Sequence, residues 1–170
     1  MKTKSPKRLI LLSLFIAIGA ILGLVESSLP IPIPLPGARL GFANIAVLST
    51  LNLIGSVAAL IVAVGKSLLL LLLSGNVTSF FYSLAGGIAS AIGMALAKKY
   101  FDRYLSEIGI SEIGSFFHNI AQVTVAAWVI QNSHLIIYLP LLLGLGLLTG
   151  YFVGWASLFF LRHFSKILRI

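Results

Sequence analysis

The chain contains no cysteine and only four acidic residues, and three of those four, Asp102, Glu107 and Glu112, lie in one short segment. Without cysteine there is no disulfide framework, no thiolate metal site and no catalytic thiol. With so few carboxylates there is little material for general acid–base work. Asp102 is the only aspartate, so an aspartate-rich cluster of the kind that holds diphosphate through metal ions is excluded. A Gly-rich Walker loop, a Gly-x-Ser-x-Gly elbow and a His-Glu-x-x-His pair are also missing, and each removes an enzyme class. Neither a cofactor nor a resident metal is expected: the three histidines, His118, His134 and His163, fall at different helix ends. Charged residues of both signs make up 9% of the 170 residues, against about 25% in a soluble domain.

Apolar residues fill the space left by the charges. They make up 59% of the chain, and the mean hydropathy is +1.08. Lipid is therefore the expected solvent, and the length suits a single transmembrane domain over residues 1–170. A membrane helix needs about 20 mainly apolar residues. The pattern predicts helices near 9–25, 41–54, 57–74, 78–97, 114–131 and 138–161, an all-α bundle of about six crossings. Pro30, Pro32, Pro34 and Pro36 cannot continue a helix, and Gly55-Ser56 and Ser74-Gly75-Asn76 are turn clusters. The second helix is short for a crossing, so a tilted, broken or protein-buried segment is expected there. The basic start followed by an apolar run resembles a signal peptide, but the run continues to Val25 without a clear cleavage site and is read as a retained helix.

The formal net charge of +8 would suggest nucleic acid in a soluble protein, but its placement points to a bilayer instead. Lys2, Lys4, Lys7 and Arg8 precede the first helix, Lys98, Lys99 and Arg103 follow the fourth, and Arg162, Lys166 and Arg169 follow the sixth. Ten of the twelve basic residues thus fall on one face of a six-crossing bundle, and by the positive-inside rule that face is cytoplasmic. The expected layout is a cytoplasmic N-terminus (1–8), an outer Pro-rich lid (26–40), a cytoplasmic loop (98–113) and a cytoplasmic C-terminus (162–170). The 100–113 segment reads equally as an interfacial amphipathic helix or an ordinary loop.

Two cations, Arg39 and Lys66, are left over. Lys66 lies in mid-helix, where a lysine should face the bundle interior. Its expected partner is Glu26 or an anionic ligand. Glu26 and Arg39 bracket the Pro-rich segment, either as charges facing a ligand under a stiff lid or as an ion pair that pins the loop. Asn44 ends the segment that joins helices 1 and 2, and Asn76 lies in the turn cluster before the fourth helix. His118, Asn119 and Gln122 form a polar stripe on the fifth helix, fit to line a cavity or to bond neighbouring helices. Small residues at four-residue spacing mark close helix contacts: Ser13 and Ala17, Gly19 and Gly23, Gly86 and Ser90, and Gly146, Gly150 and Gly154.

Three runs carry a family resemblance: Pro36-Gly-Ala-Arg-Leu-Gly-Phe-Ala-Asn44, Ser83-Leu-Ala-Gly-Gly87 and His118-Asn-Ile-Ala-Gln122. Over residues 9 to 161 the chain resembles a bacterial family known as heptaprenyl diphosphate synthase component I, also called Gx transporters. That family is similar to the substrate-binding S components of energy-coupling factor (ECF) transporters. The resemblance implies six helices, location in the bacterial cytoplasmic membrane with both termini inside, and a small-molecule ligand, anionic and vitamin-like or an isoprenoid or quinone precursor, under the loop joining helices 1 and 2. Ligand contacts would fall to Glu26, Arg39, Asn44, Lys66, Asn76, His118, Asn119 and Gln122. Ser13, Ala17 and Ala20 on helix 1 would meet a coupling subunit served by ATPases. The synthase label implies a different partner, a soluble prenyl diphosphate synthase subunit.

Overall fold

The computed structural model describes residues 6–29 and 39–168, and side chains as far as His163. Most of the expected lid (Pro30, Pro32, Pro34 and Pro36), together with Lys2, Lys4 and Arg169, lies outside the described residues. Six α-helices and one 3-10 turn account for the described chain, and no strand occurs among these residues. They are α1 (Pro6–Ser27), α2 (Asn44–Leu53), α3 (Ser56–Ser74), α4 (Val77–Phe101), α5 (Glu107–Val129) and α6 (Leu139–Leu168), the 3-10 turn being Ser133–Tyr138.

Local chemistry sets the boundaries. Pro6 opens α1, where its missing amide hydrogen costs nothing. Gly55, at φ 115, separates α2 from α3 in a conformation that a side chain would resist. Asn76 caps α4 by accepting from the Ser79 amide at 2.9 Å, and Ser106 caps α5 through the Gly109 amide at 3.3 Å. That cap starts α5 at Glu107, seven residues before the position expected from hydropathy, so the loop expected over 98–113 shrinks to a tight turn. Glu107 is no loop residue: its carboxylate accepts from Asn52 at 2.6 Å and from Lys98 at 3.1 Å. Lys98 also donates to Asn52. One cluster thereby ties the end of α2 to the α4–α5 turn. The C-terminal segment departs likewise, with α6 running on through residue 168.

The helices pack α1 on α3, α3 on α4, α4 on α5 and α5 on α6, and α2 is inserted among α1, α3, α4 and α6. Seven of the ten α2 residues are buried, as expected of a helix apolar all round. The bundle surface reverses the soluble pattern: Ile10, Leu72, Trp128, Ile137, Leu147 and Trp155 are all exposed. Four helical segments, Pro6–Ser27, Ser56–Ser74, Val77–Phe101 and Ser133–His163, are long and apolar enough to cross a membrane. These features are compatible with a membrane protein.

α2 is too short to span a bilayer. Ten residues rise about 15 Å, half of a hydrocarbon core. The remainder of its path is the irregular segment 39–43, which enters the bundle. Irregular backbone buried inside a bundle needs protein partners for its polar groups. Three helices supply those partners. Gln122 on α5 accepts from the Arg39 amide at 3.0 Å. Glu26 on α1 accepts from the Gly41 amide at 2.5 Å. Thr149 on α6 donates to the Leu40 carbonyl at 3.0 Å. Gly41 adopts φ 96 at the sharpest point of the turn, which leaves room there for glycine alone.

Candidate functional site

The re-entrant turn delivers Arg39 to the bundle interior, where its side chain is held on two sides. Nε and Nη2 donate to Ser79 Oγ at 3.1 and 2.9 Å, and Nη1 donates to the Gly23 carbonyl at 3.3 Å. Gly23 leaves space for it, since a Cβ there would stand 3.0 Å from Nη1. Four residues earlier on the same face, Gly19 makes room for Lys66 in the same way: a Cβ would meet the lysine stem at 3.1 and 3.2 Å. The Gly19–Gly23 spacing on α1 thus accommodates two cationic side chains rather than a neighbouring backbone. Lys66 is 2% exposed and reaches toward Gly87 on α4, its amine 3.5 Å from where a Cβ would be.

Glu26 is buried beside both cations but forms no contact ion pair with either, since no nitrogen–oxygen approach within 4.0 Å joins them; the described ion pairs are those of Lys98. The Glu26–Arg39 pin considered from sequence is therefore not formed directly. The carboxylate instead holds the Gly41 amide, and Arg39 is held by Ser79 and Gly23.

His118 lies below the turn, against Gly86 of α4, where a Cβ would stand 2.6 Å from its ring. Asn44 Nδ2 faces His118 Nδ1 at 3.2 Å. As oriented, the Asn44 amide nitrogen donates to Nδ1, a pairing that suits a neutral imidazole. Asn44 Oδ1, Glu26 Oε2, His118 Nε2 and Gln122 Nε2 are buried without a hydrogen bond of normal geometry. Such groups are costly to leave unmade. A cavity of about 10 Å³ lies against Asn44, Ser90, Ser111 and Thr149, enough for roughly one water.

Of the eight ligand-contact candidates read from sequence, six converge here: Glu26, Arg39, Asn44, Lys66, His118 and Gln122. Asn119 faces away and donates to the Leu142 carbonyl of α6 at 3.0 Å, so it bonds helices. Asn76 is exposed and acts as the α4 cap. It touches the cluster only through Ser79, which it positions. Of the coupling candidates, Ser13 is exposed and Ala17 half-buried on the outer face of α1, whereas Ala20 is 1% exposed and packs inside this chain. Ser79, Gly23 and Thr149 do not stand out as site residues in the sequence. Their signals are the Asn76 cap, which places Ser79 three residues into α4, and the two glycine repeats.

The family model described as heptaprenyl diphosphate synthase component I matches residues 15–160, and the chain belongs to that family. No curated protein and no solved structure matches it.

Proposed function

We propose that this member of the heptaprenyl diphosphate synthase component I family is a non-enzymatic, substrate-binding membrane subunit of an uptake system. In this reading it crosses the bilayer six times with both termini cytoplasmic, and it holds a small polar anion at the Arg39–Lys66 site. The observation that carries this reading is the charge balance of the interior. Two buried cations face one carboxylate, which leaves a surplus of one positive charge with His118 neutral. Residues 30–38 contain no ionisable side chain. Asp102 and Glu107 are engaged with Lys98. Glu112 lies six residues from His118, about 9 Å along α5, with its carboxylate against Gly150 of α6. An uncompensated charge in a low-dielectric interior costs on the order of several kcal/mol, and an intramembrane cation is by default a functional group.

Polar atoms of Glu26, Asn44, His118 and Gln122 that lack a hydrogen bond of normal geometry favour a polar anion that also offers its own donors. A long isoprenoid chain has no use for them. Energy would come from a separate ATPase module, and Ser13 and Ala17 would lie on the coupling face. The family description favours a second reading, a membrane component that assembles with a soluble prenyl diphosphate synthase subunit.

Native mass spectrometry of protein taken gently from membranes tests the site. Wild type is expected to carry a small anion that Lys66→Ala loses while remaining folded. Equal retention by Lys66→Ala would overturn the assignment. Co-purification separates the two readings, since ATPase and coupling subunits support uptake and a soluble prenyltransferase supports the alternative.

A further inference from the structure

Away from the charged interior, α4 and α5 part to leave a groove of about 530 Å³ on the bundle surface. It sits at the end that carries Lys98, Lys99 and Arg103. Its wall is almost wholly apolar and built from Leu96, Tyr100, Phe101, Ile113, Phe116 and Phe117. From Phe101 to Gly93 it follows α4 for about 12 Å. The volume falls in the range of small-molecule sites, about 300–1,000 Å³. Glu112 contributes to the floor, but its carboxylate is turned toward Gly150 of α6.

We propose that this groove seats one acyl chain of an anionic phospholipid whose phosphate is held by Lys99 and Arg103. Two observations select that occupant. The first is side-chain size. Helices that dock in membranes do so over small residues that let backbones approach. Here the two small lining positions do not offer that approach: Ala97 is buried, and Gly93 is closed by the Phe117 ring, which lies 2.5 Å from where a Cβ would stand. Bulky, rotatable aromatics suit a flexible hydrocarbon chain better than a helix. The second is charge. Tyr100 and Phe101 line the groove, and the exposed cations Lys99 and Arg103 stand on either side of them in the chain, with Lys99 Nζ 5.2 Å from the Tyr100 ring centre. Lys98 is committed to Asn52 and Glu107, but these two have no acidic partner among the described residues. Basic pockets between membrane helices are headgroup sites, each cation adding about 1 kcal/mol of attraction to anionic lipid.

Two cations at that strength predict a preference for phosphatidylglycerol over phosphatidylethanolamine of roughly tenfold to thirtyfold. Native mass spectrometry of full-length protein equilibrated with equimolar mixed vesicles of the two lipids reads this directly. Wild type should retain one phosphatidylglycerol. Lys99→Gln with Arg103→Gln should abolish the preference, and Leu96→Trp, at a half-exposed wall position, should reduce retention of both lipids. A second measurement does not depend on retention in the gas phase. In a Trp128→Phe, Trp155→Phe background, Phe116→Trp fluorescence should be quenched by brominated-chain phosphatidylglycerol in preference to the brominated ethanolamine lipid. Equal retention of the two lipids, an unchanged preference in the double charge variant, or equal quenching would overturn the proposal. So would displacement of phosphatidylglycerol by a prenyl diphosphate at equal concentration.

Discussion

The side-chain oxygen of Gln122 accepts a hydrogen bond from the backbone amide of Arg39 at 3.0 Å, across 83 residues of sequence. The contact fixes the cation's main chain to α5, so the position of the guanidinium depends on a residue that carries no charge. Gln122→Ala should leave that buried amide unsatisfied, at a cost of about 1–3 kcal/mol, seen as a lowered unfolding temperature in detergent. Gln122→Glu keeps the acceptor while adding negative charge beside Arg39. It should preserve stability and still lose the bound anion. If both variants retained the anion, Gln122 would be no part of the site.

Lys66→Met separates structure from ligand. With two cations beside one carboxylate, removing Lys66 leaves Arg39 to balance Glu26, so the charge removed is the uncompensated one, whose burial is itself costly. The unfolding temperature should therefore hold or rise while anion retention collapses. A destabilised Lys66→Met would instead make the lysine a structural partner of Glu26.

Gly86 and Gly144 offer a matched pair. A methyl at Gly86 would stand 2.6 Å from the His118 ring, whereas nothing lies within 4 Å of a Cβ at Gly144. Gly86→Ala should cost about 1–3 kcal/mol through overpacking and displace His118 from Asn44. Gly144→Ala, in an exposed helical position, should stabilise by roughly 0.5–1 kcal/mol. Thermal unfolding of the two variants side by side checks the sign of each.

The absence of native cysteine makes topology directly measurable. Lys99→Cys and Ser133→Cys replace exposed residues, one in the last turn of α4 and one just beyond α5. A membrane-impermeant thiol reagent applied to intact cells should modify Ser133→Cys and leave Lys99→Cys untouched until the cells are opened. Modification of both from outside would break the six-crossing arrangement.

Hydropathy and proline placement locate all six helices, because long apolar runs and obligatory breaks are local properties. Where sequence and structure part, a long-range partner outweighs a local signal. Glu107 and Glu112 make the start of α5 look like a loop. The first is in fact paired with Lys98 and Asn52, and the second turned against Gly150. Six candidate site residues stand out because a polar group in an apolar helix is conspicuous. The contributions of Ser79, Gly23 and Thr149 are hidden, since a hydroxyl or a glycine carbonyl in a membrane helix ordinarily has an innocuous local role. Ala20 passes for a coupling residue because spacing alone does not say which side of α1 faces outward.

The re-entrant turn also constrains how the protein is made. Its peptide groups at 39–41 are held by Glu26, Gln122 and Thr149, and two of those three holders emerge from the ribosome about a hundred residues later. Once α1 through α4 are made, α2 can pack on three of its four neighbours, but the 39–41 peptides still lack two of their three holders. The turn can be fully held only after α5 and α6 have been made. A nascent chain arrested before residue 149 should therefore leave the 39–43 segment open to proteases, however well its other helices have inserted.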